Sequence, residues 1–431
     1  MVRLSIDPGP VTVVSDETNV TASGVRASLL RPYSATSEES RQRAIEGLLI
    51  ADAAPEERFD RLTRLAKLVF DVPMAAITLA EKDYLWRKSY DGITASKTPR
   101  SQSFCDTTIR TARPVVVEDA RLHPEFNRLP TVARDKGIRF YAGYPLADAT
   151  GVVVGTFCLF DVRPRTLDEH QLAVLAELAG WAEQELTNSA EMNRAREVQQ
   201  NLLPRHTPDL DGYDVEAICL PAQMVGGDFY DYARFGDGFG FCVADVMGKG
   251  TGAAIVTAGV RAVLRAAANR VYKNRHPDAV NIAASVLTGT NRAMYRELEG
   301  IGSLVTAFVA YVEGSSGLVS YADAGHGLTV VIGVDGTARW LHSADLPLGI
   351  DPTAVWTEYR FVLEPGETLL CFSDGLLDLL GGNGEALDEI AQMARVHADP
   401  RLLIGQIRTL ATLRAPTDDV TALALRRNAA A

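Results

Sequence analysis

Residues 224–231 read Met-Val-Gly-Gly-Asp-Phe-Tyr-Asp, which sets Asp228 and Asp231 just beyond the pair Gly226 and Gly227. Glycine tolerates tight turns and positive φ, so a carboxylate directly after such a pair can be aimed into a crevice instead of along a strand. Three more acidic positions follow, each at the end of an apolar run that reads as a buried strand. Asp245 closes Gly-Phe-Gly-Phe-Cys-Val-Ala-Asp, Asp374 closes Thr-Leu-Leu-Cys-Phe-Ser-Asp, and Asp418 and Asp419 open Asp-Asp-Val-Thr-Ala-Leu-Ala-Leu. If those strand ends meet, their carboxylates cluster. Like charges ~4 Å apart repel by roughly 4 kcal/mol per pair at an effective dielectric of about 20, a large share of a domain's stability. Divalent cations reverse that sign, and an all-oxygen donor set selects Mg2+ or Mn2+ over zinc.

At 431 residues, 47% hydrophobic and 23% charged, the chain has the balance of an ordinary soluble globular protein and length for two or three domains. No apolar run approaches the ~20 residues that span a bilayer, and the N-terminus lacks a basic stretch leading into an apolar one. The expectation is a cytoplasmic protein without membrane contact. Cys105, Cys158, Cys219, Cys242 and Cys371 are widely spaced, form no C-x-x-C pair and lie mostly inside apolar runs. They read as small buried hydrophobes in a reducing compartment. A formal net charge of -12 argues against generic phosphate-backbone binding, so nucleic acid is not an expected partner.

Residues 1–40 are rich in Ser, Thr, Pro, Val and Gly without sustained periodicity and read as a flexible lead-in. From 41 to 70, Ile45, Leu48, Leu49, Phe59, Leu62, Leu65 and Leu68 recur at helical spacing around a break at Ala54-Pro55, which fits two helices. Strand-like runs at 73–80, 114–117, 142–146 and 152–160 complete a compact α/β unit over 41–187. Ser-Phe-Cys-Asp-Thr-Thr-Ile at 103–109, Val-Val-Glu-Asp-Ala-Arg at 116–121, Ile-Arg-Phe-Tyr-Ala-Gly-Tyr-Pro-Leu at 138–146 and Gly-Thr-Phe-Cys-Leu-Phe-Asp at 155–161 follow in that order. The set resembles the GAF sensory domain family. That resemblance implies a central antiparallel sheet, often with a small-molecule pocket, whose ligand here is unknown. Cys105 is open to reading as a sensor thiol or chromophore anchor, and the commoner case of a buried structural cysteine is preferred. His123, before Pro124, reads as a loop residue rather than a metal ligand.

From Leu172, the positions Leu175, Leu178, Ala182, Leu186, Ser189, Met192, Ala195, Val198 and Leu202 step every three or four residues up to Pro204. This is a long helix with a narrow apolar seam that ends at proline. Two readings stand: a linker, 188–204, that pairs two chains into a homodimer together with the sensor domain, or a helix packed on its own domain. The first is preferred, although Ser189 and Ala195 weaken the seam. Its last turns, Arg-Glu-Val-Gln-Gln-Asn-Leu-Leu-Pro, resemble the lead-in to the phosphatase domains of bacterial partner-switching regulators.

Beyond Pro204 strands and helices alternate. The series Val-Gly-Gly-Asp-Phe-Tyr-Asp, Ala-Asp-Val-Met-Gly-Lys-Gly, Asp-Ala-Gly-His-Gly, Leu-Pro-Leu-Gly-Ile, Phe-Ser-Asp-Gly-Leu-Leu-Asp and Asp-Asp-Val-Thr-Ala-Leu is similar to the metal-dependent protein phosphatases, in the bacterial branch with the stage II sporulation phosphatase. The resemblance implies an α-β-β-α sandwich over 205–427 with two Mn2+ or Mg2+ ions at one edge. It makes Asp245 the bridging ligand, joined by the backbone carbonyl of Val246, and it gives one ion to Asp374 and Asp418. Asp228 then contributes directly or through water. Asp419 stands where relatives often carry asparagine, so the choice between Asp418 and Asp419 stays open.

Physical chemistry supports those roles independently. Two divalent ions ~3.5–4 Å apart lower the pKa of a shared water and clamp both oxygens of phosphoryl transfer, with no serine or cysteine nucleophile required. Ser373 would face away from Asp374 on its strand. Gly248-Lys249-Gly250 fails as a phosphate loop, because position 250 is glycine and position 243 is not. Lys249 reads as a turn residue or electrostatic helper. His326 is a general acid or, preferred, a support for the sheet; Asp378 reads as a helix-dipole charge and Asp323 as structural. The expected function is a signal-regulated phosphoserine/phosphothreonine protein phosphatase whose substrate, by resemblance, is a phosphorylated anti-sigma-factor antagonist. The alternative is a catalytically dead sensor and scaffold, which retention of all four acid sites disfavours.

Overall fold

The computed structural model describes residues 12–13, 37–48, 56–94, 96–208, 210–273, 281–382 and 384–429. Two compact units divide the chain, Met1–Arg194 and Ala195–Ala431.

The first unit is built on β1 (Thr12–Val13), β2 (Met74–Ala80), β3 (Tyr84–Asp91), β4 (Lys97–Pro99), β5 (Val115–Val117), β6 (Phe140–Ala147) and β7 (Val153–Asp161). These form a seven-stranded sheet in the order β1-β5-β6-β7-β2-β3-β4, every pairing antiparallel. The two expected helices are present as α1 (Glu38–Leu48) and α2 (Glu57–Phe70); the break at Ala54-Pro55 lies outside the described residues. Phe59, Leu62, Ala66 and Phe70 recur every three or four residues on α2 and are buried against the sheet. Then come α3 (Phe104–Thr111), α4 (Pro130–Ala133) and α5 (Glu169–Leu202). Every residue of β6 and β7 is buried, so these strands read as continuous apolar runs rather than alternating ones.

Three features go beyond the sequence reading. Of the supposed flexible lead-in, Thr12–Val13 pairs with β5, while most of the rest lies outside the described residues. Strand β3 went unread because Arg87 and Lys88 interrupt its pattern; the Lys88 side chain is buried, its ammonium paired with Glu56 and 5.3 Å from the Phe59 ring centroid. The seam of α5 is used within its own unit as far as Ser189, with Leu175, Leu178, Ala182, Leu186 and Ser189 all buried. That stretch packs on its own domain, and only Met192, Ala195, Val198 and Leu202 remain on the seam beyond it.

The second unit is a sandwich of two antiparallel five-stranded sheets. Its strands are β8 (Tyr213–Leu220), β9 (Asp228–Phe235), β10 (Gly238–Val246), β11 (Val305–Val312), β12 (Leu318–Ala324), β13 (Thr329–Ile332), β14 (Ala338–Leu341), β15 (Tyr359–Val362), β16 (Thr368–Phe372) and β17 (Val420–Arg427). One sheet runs β15-β12-β11-β10-β9, the other β14-β13-β16-β17-β8. Helices α6 (Gly250–Lys273) and α7 (Ile282–Ile301) cover the first; α8 (Gly375–Leu379), α9 (Ala386–Val396) and α10 (Pro400–Leu413) cover the second. Side chains alternate faces along a strand, and the core follows that parity. Phe239, Phe241 and Val243 of β10 meet Leu369, Cys371, Leu423 and Leu425 between the sheets. Cys242, Ala244 and Val246 point instead toward α6 and α7.

Helix α6 corrects the expectation that no apolar run could span a bilayer, since by length and composition it could. Its Val260, Leu264 and Ala267 are buried in the same core as β10, and its Arg261 and Arg265 pair with Asp231 of β9, the features of a helix that covers a sheet.

Candidate functional site

Strand parity decides which acids share a face. In β9, Asp228 has the parity of Tyr230 and Tyr232, which lie between the sheets; in β10, Asp245 has the parity of Phe239, Phe241 and Val243. The two aspartates are direct partners across the β9–β10 pairing. Asp231 falls on the opposite face, where its carboxylate accepts from Arg265 at 3.0 Å and pairs with Arg261 at 3.1 Å. Asp231 thereby clamps α6 to its sheet.

Asp374 follows β16 at the head of α8, and Asp418 and Asp419 lead into β17, the neighbour of β16. Gly375 brings these two loops together, because a Cβ there would stand 2.1 Å from the Asp419 carbonyl oxygen. Gly226 and Gly227 are required for the same reason: added Cβ atoms would meet Asp419 Oδ2 at 2.2 Å and the Val246 carbonyl oxygen at 2.4 Å. The glycine pair is thus a close-approach device that seats its loop on Asp419 and on the end of β10.

Electrostatics register this crowding. Burial pushes the Asp228 carboxyl well above the usual carboxylate range, and Asp245 and Asp419 add to the effect. Asp245 is pushed up to about 6, by burial first and then by Asp374, Asp418 and Asp419. Asp374 is exposed, and its carboxyl is raised by partial desolvation and by Asp418 and Asp378, with Lys249 opposing. One oxygen, Asp228 Oδ2, is buried with no hydrogen-bond partner, an orphaned acceptor that a cation would satisfy. Among the described residues no three carboxylates, imidazoles or thiols already form one ion's cage, so the acids converge without being closed into a preformed set.

The two adjacent aspartates at the β17 entrance are unlike. Asp419 is buried and accepts the backbone N–H groups of Ala222 at 2.7 Å and Gly227 at 2.6 Å. Asp418 is half-buried and meets Lys249 Nζ at 2.8 Å, which also donates to the Thr417 carbonyl. Ser373 is buried with its hydroxyl donating to the Asp419 carbonyl at 3.1 Å, so it offers no nucleophile. Asp323 accepts the N–H groups of His326 and Gly327 and shapes that turn. His326 is buried with Nδ1 3.2 Å from the Thr306 hydroxyl, and burial holds its pKa down to about 4, so it is neutral near pH 7. Both geometries match the supporting roles preferred for these residues. Asp378 is exposed, within 3.3 Å of the Thr417 hydroxyl.

Comparison with known proteins finds that residues 236–428 match Stage II sporulation protein E (SpoIIE) and residues 54–186 match the GAF domain. The chain joins a GAF domain to a SpoIIE domain. Asp245, Asp374 and Asp418 fall inside the matched SpoIIE span, and Asp228 lies just upstream of it. Similar relatives are Protein IcfG of Synechocystis sp., 27% identical over 56% of this chain and 42% of that protein, and Phosphoserine phosphatase RsbU of Bacillus subtilis, 28% identical over 45% of this chain and 56% of that protein. The chain thus spans about half the length of these curated relatives. Among solved structures, the SiaA-PP2C domain of Pseudomonas aeruginosa is 26% identical, covering 57% of this chain and 98% of that one at a TM-score of 0.48.

One contact of the SpoIIE domain was not legible beforehand. The Gln199 side chain, in the last turns of α5, accepts the Gly226 N–H at 3.0 Å and donates to the Gly226 carbonyl at 2.7 Å. A single side chain therefore grips both polar groups of the residue that packs on Asp419. The only signal was a glutamine in the segment resembling phosphatase lead-ins, and nothing in its spacing said where the amide would reach. Gln199→Ala removes two neutral hydrogen bonds, about 1–3 kcal/mol together. Cation-dependent activity should fall further than global stability does, because the loosened loop carries Asp228. Titrating activity against Mn2+ checks this: an unchanged midpoint would leave Gln199 a mere surface contact.

Proposed function

We propose that the SpoIIE domain is a metal-dependent phosphoserine/phosphothreonine protein phosphatase. The observation that carries this reading is Asp228, buried with an unpartnered oxygen directly opposite Asp245, beside loops bearing Asp374 and Asp418. Such crowding is unfavourable for carboxylates alone and favourable once divalent cations share it. In this reading Asp228, Asp245, Asp374, Asp418 and the Val246 carbonyl hold two ions, Mn2+ or Mg2+, while Asp419 positions the loop. When bound, the ions supply the Lewis acid that polarises a phosphoryl oxygen and the charge that acidifies water.

The protein's own groups supply the rest. Asp245, central among the acids, orients the centre; Lys249, once released from Asp418, offers an ammonium to a phosphate; His326, neutral and buried, keeps the turn behind Asp323 in place. With no side-chain nucleophile available, direct hydrolysis is favoured over a phosphoenzyme. Relatives that are phosphoserine phosphatases support a phosphorylated regulatory protein as substrate, in our reading an anti-sigma-factor antagonist of a partner-switching pathway. We assign the GAF domain the role of signal input and pair two cytoplasmic chains through it and the end of α5, where Val198 and Leu202 are exposed.

The test is hydrolysis of p-nitrophenyl phosphate and of a phosphoserine protein with Mn2+ or Mg2+. Turnover should appear with either ion and vanish with EDTA. A chain that binds partners yet hydrolyses neither compound under any divalent ion is a scaffold, and the reading fails.

A further inference from the structure

Inside the GAF domain two sulfur atoms stand far closer than their separation in sequence suggests. Cys105 Sγ, near the start of α3, is 3.0 Å from Cys158 Sγ of β7. Non-bonded carbon atoms rest at ~3.5–4.0 Å, and sulfur is larger, so these thiols are pressed together. A disulfide needs ~2.05 Å, which leaves about 1 Å to close. We propose that Cys105 and Cys158 are a redox-active dithiol that a small hydroperoxide converts to an intradomain disulfide. This assigns a covalent modification site to the GAF domain and is independent of the phosphatase reading.

The surroundings assign different parts to the two thiols. Ser103 caps α3, accepting the Cys105 N–H at 3.2 Å, so the Cys105 sulfur sits at the positive end of that helix. The hydrogen bond from Cys158, the largest influence, holds the Cys105 thiol down to about 6, against burial. Cys158 is pushed the other way, by burial first. Its sulfur lies 2.7 Å from the Thr156 hydroxyl and 3.8 Å from the Tyr141 hydroxyl, which is itself 2.7 Å from Thr108 Oγ1. Cys105 is thus the attacking thiolate and Cys158 the resolving thiol. Both are buried, so the oxidant the proposal calls for is a small one.

The chemistry closes without another reagent. Cys105 Sγ displaces one peroxide oxygen: an S–O bond forms, the O–O bond breaks, and the leaving alkoxide or hydroxide takes up the proton Cys105 gave. Cys158 Sγ then attacks the sulfenyl sulfur; the S–S bond forms, the S–O bond breaks, and hydroxide departs with the Cys158 proton as water. Two thiols and one hydroperoxide give one disulfide, one alcohol (water when the peroxide is H2O2) and one water. Two electrons pass from the sulfur pair to the peroxide.

The experiment treats the reduced full-length protein with hydrogen peroxide, then denatures, alkylates and digests it with trypsin. Cys105 and Cys158 are the sole cysteines of the fragments 101–110 and 140–165. The expected product is those two fragments joined, 2 Da lighter than their sum, while Cys219, the one cysteine of the five that is not buried, is still alkylated. In Cys158→Ala the reaction should stop at a Cys105 sulfenic acid trapped by dimedone, and in Cys105→Ala no dimedone adduct should form at Cys158. Recovery of both fragments separately alkylated, or oxidation of Cys219 ahead of the pair, overturns the proposal. The wild-type digest decides the matter even if a variant folds poorly.

Discussion

Asp245→Asn should lower cation-dependent phosphatase activity by at least ~100-fold while raising the melting temperature of the cation-free protein. The two effects have one cause. Asp245 is pushed from 3.8 up to about 6 by burial and by Asp374, Asp418 and Asp419, so the folded chain holds a proton there that the unfolded chain gives up. Folding therefore gains from this group below about pH 4 and loses that gain as pH rises through about 6. Near pH 7 the folded, cation-free protein carries a carboxylate it would prefer neutral, at a cost on the order of 2–3 kcal/mol. Asparagine removes the charge and relieves that cost, worth several degrees of Tm in a domain of this size. With Mn2+ present the sign turns over. A central carboxylate then contributes several kcal/mol of transition-state stabilisation, and each 1.36 kcal/mol lost is tenfold in rate. Calorimetry with and without Mn2+ checks the pair: wild type should gain in Tm on adding the ion and the variant should not. A variant less stable than wild type without cations would mean that Asp245 is an ordinary structural acid.

How far this site was legible follows from where each side chain gets its direction. Asp245, Asp374 and Asp418 stood out because each terminates or opens an apolar run, and Asp228 because it follows a glycine pair; strand ends of one sandwich then converge by topology. Asp231 lies three residues from Asp228 in a regular strand, and an odd spacing sends the two to opposite faces. Parity states that plainly once the strand is known to begin at Asp228. Before that, the glycine pair left its start uncertain. The seam of α5 was readable as a helix but not as to what covers it, since the same apolar positions serve a partner chain or the helix's own core. The buried Lys88 in β3 had no sequence signal at all, because its ion pair with Glu56 and its place over Phe59 are made by the fold. Long-range partners of polar side chains, Gln199 with Gly226 among them, belong to the same class.

The adjacent acids at the start of β17 supply the second large contrast. Asp419→Ala should destabilise the SpoIIE domain by about 3–5 kcal/mol, whether or not cations are present. It removes two charge-assisted hydrogen bonds and leaves the buried Gly227 N–H, together with that of Ala222, without an acceptor. It also opens space beside Gly226, whose lack of a Cβ exists to accommodate that carboxylate. Asp418→Ala should behave oppositely. Among the described residues its one polar partner outside its own turn is the exposed ammonium of Lys249, so cation-free stability should barely move, while the Mn2+-induced rise in Tm and the phosphatase activity should be lost. Urea melts of both variants with and without Mn2+ separate the roles, because a structural acid changes the midpoint under both conditions and a ligand changes only the difference between them. If Asp419→Ala kept the wild-type midpoint without cations but lost the response to Mn2+, the two aspartates would have to exchange places. The glycine pair at Gly226 and Gly227 would then be shaping a metal ligand itself, not the loop that carries Asp228.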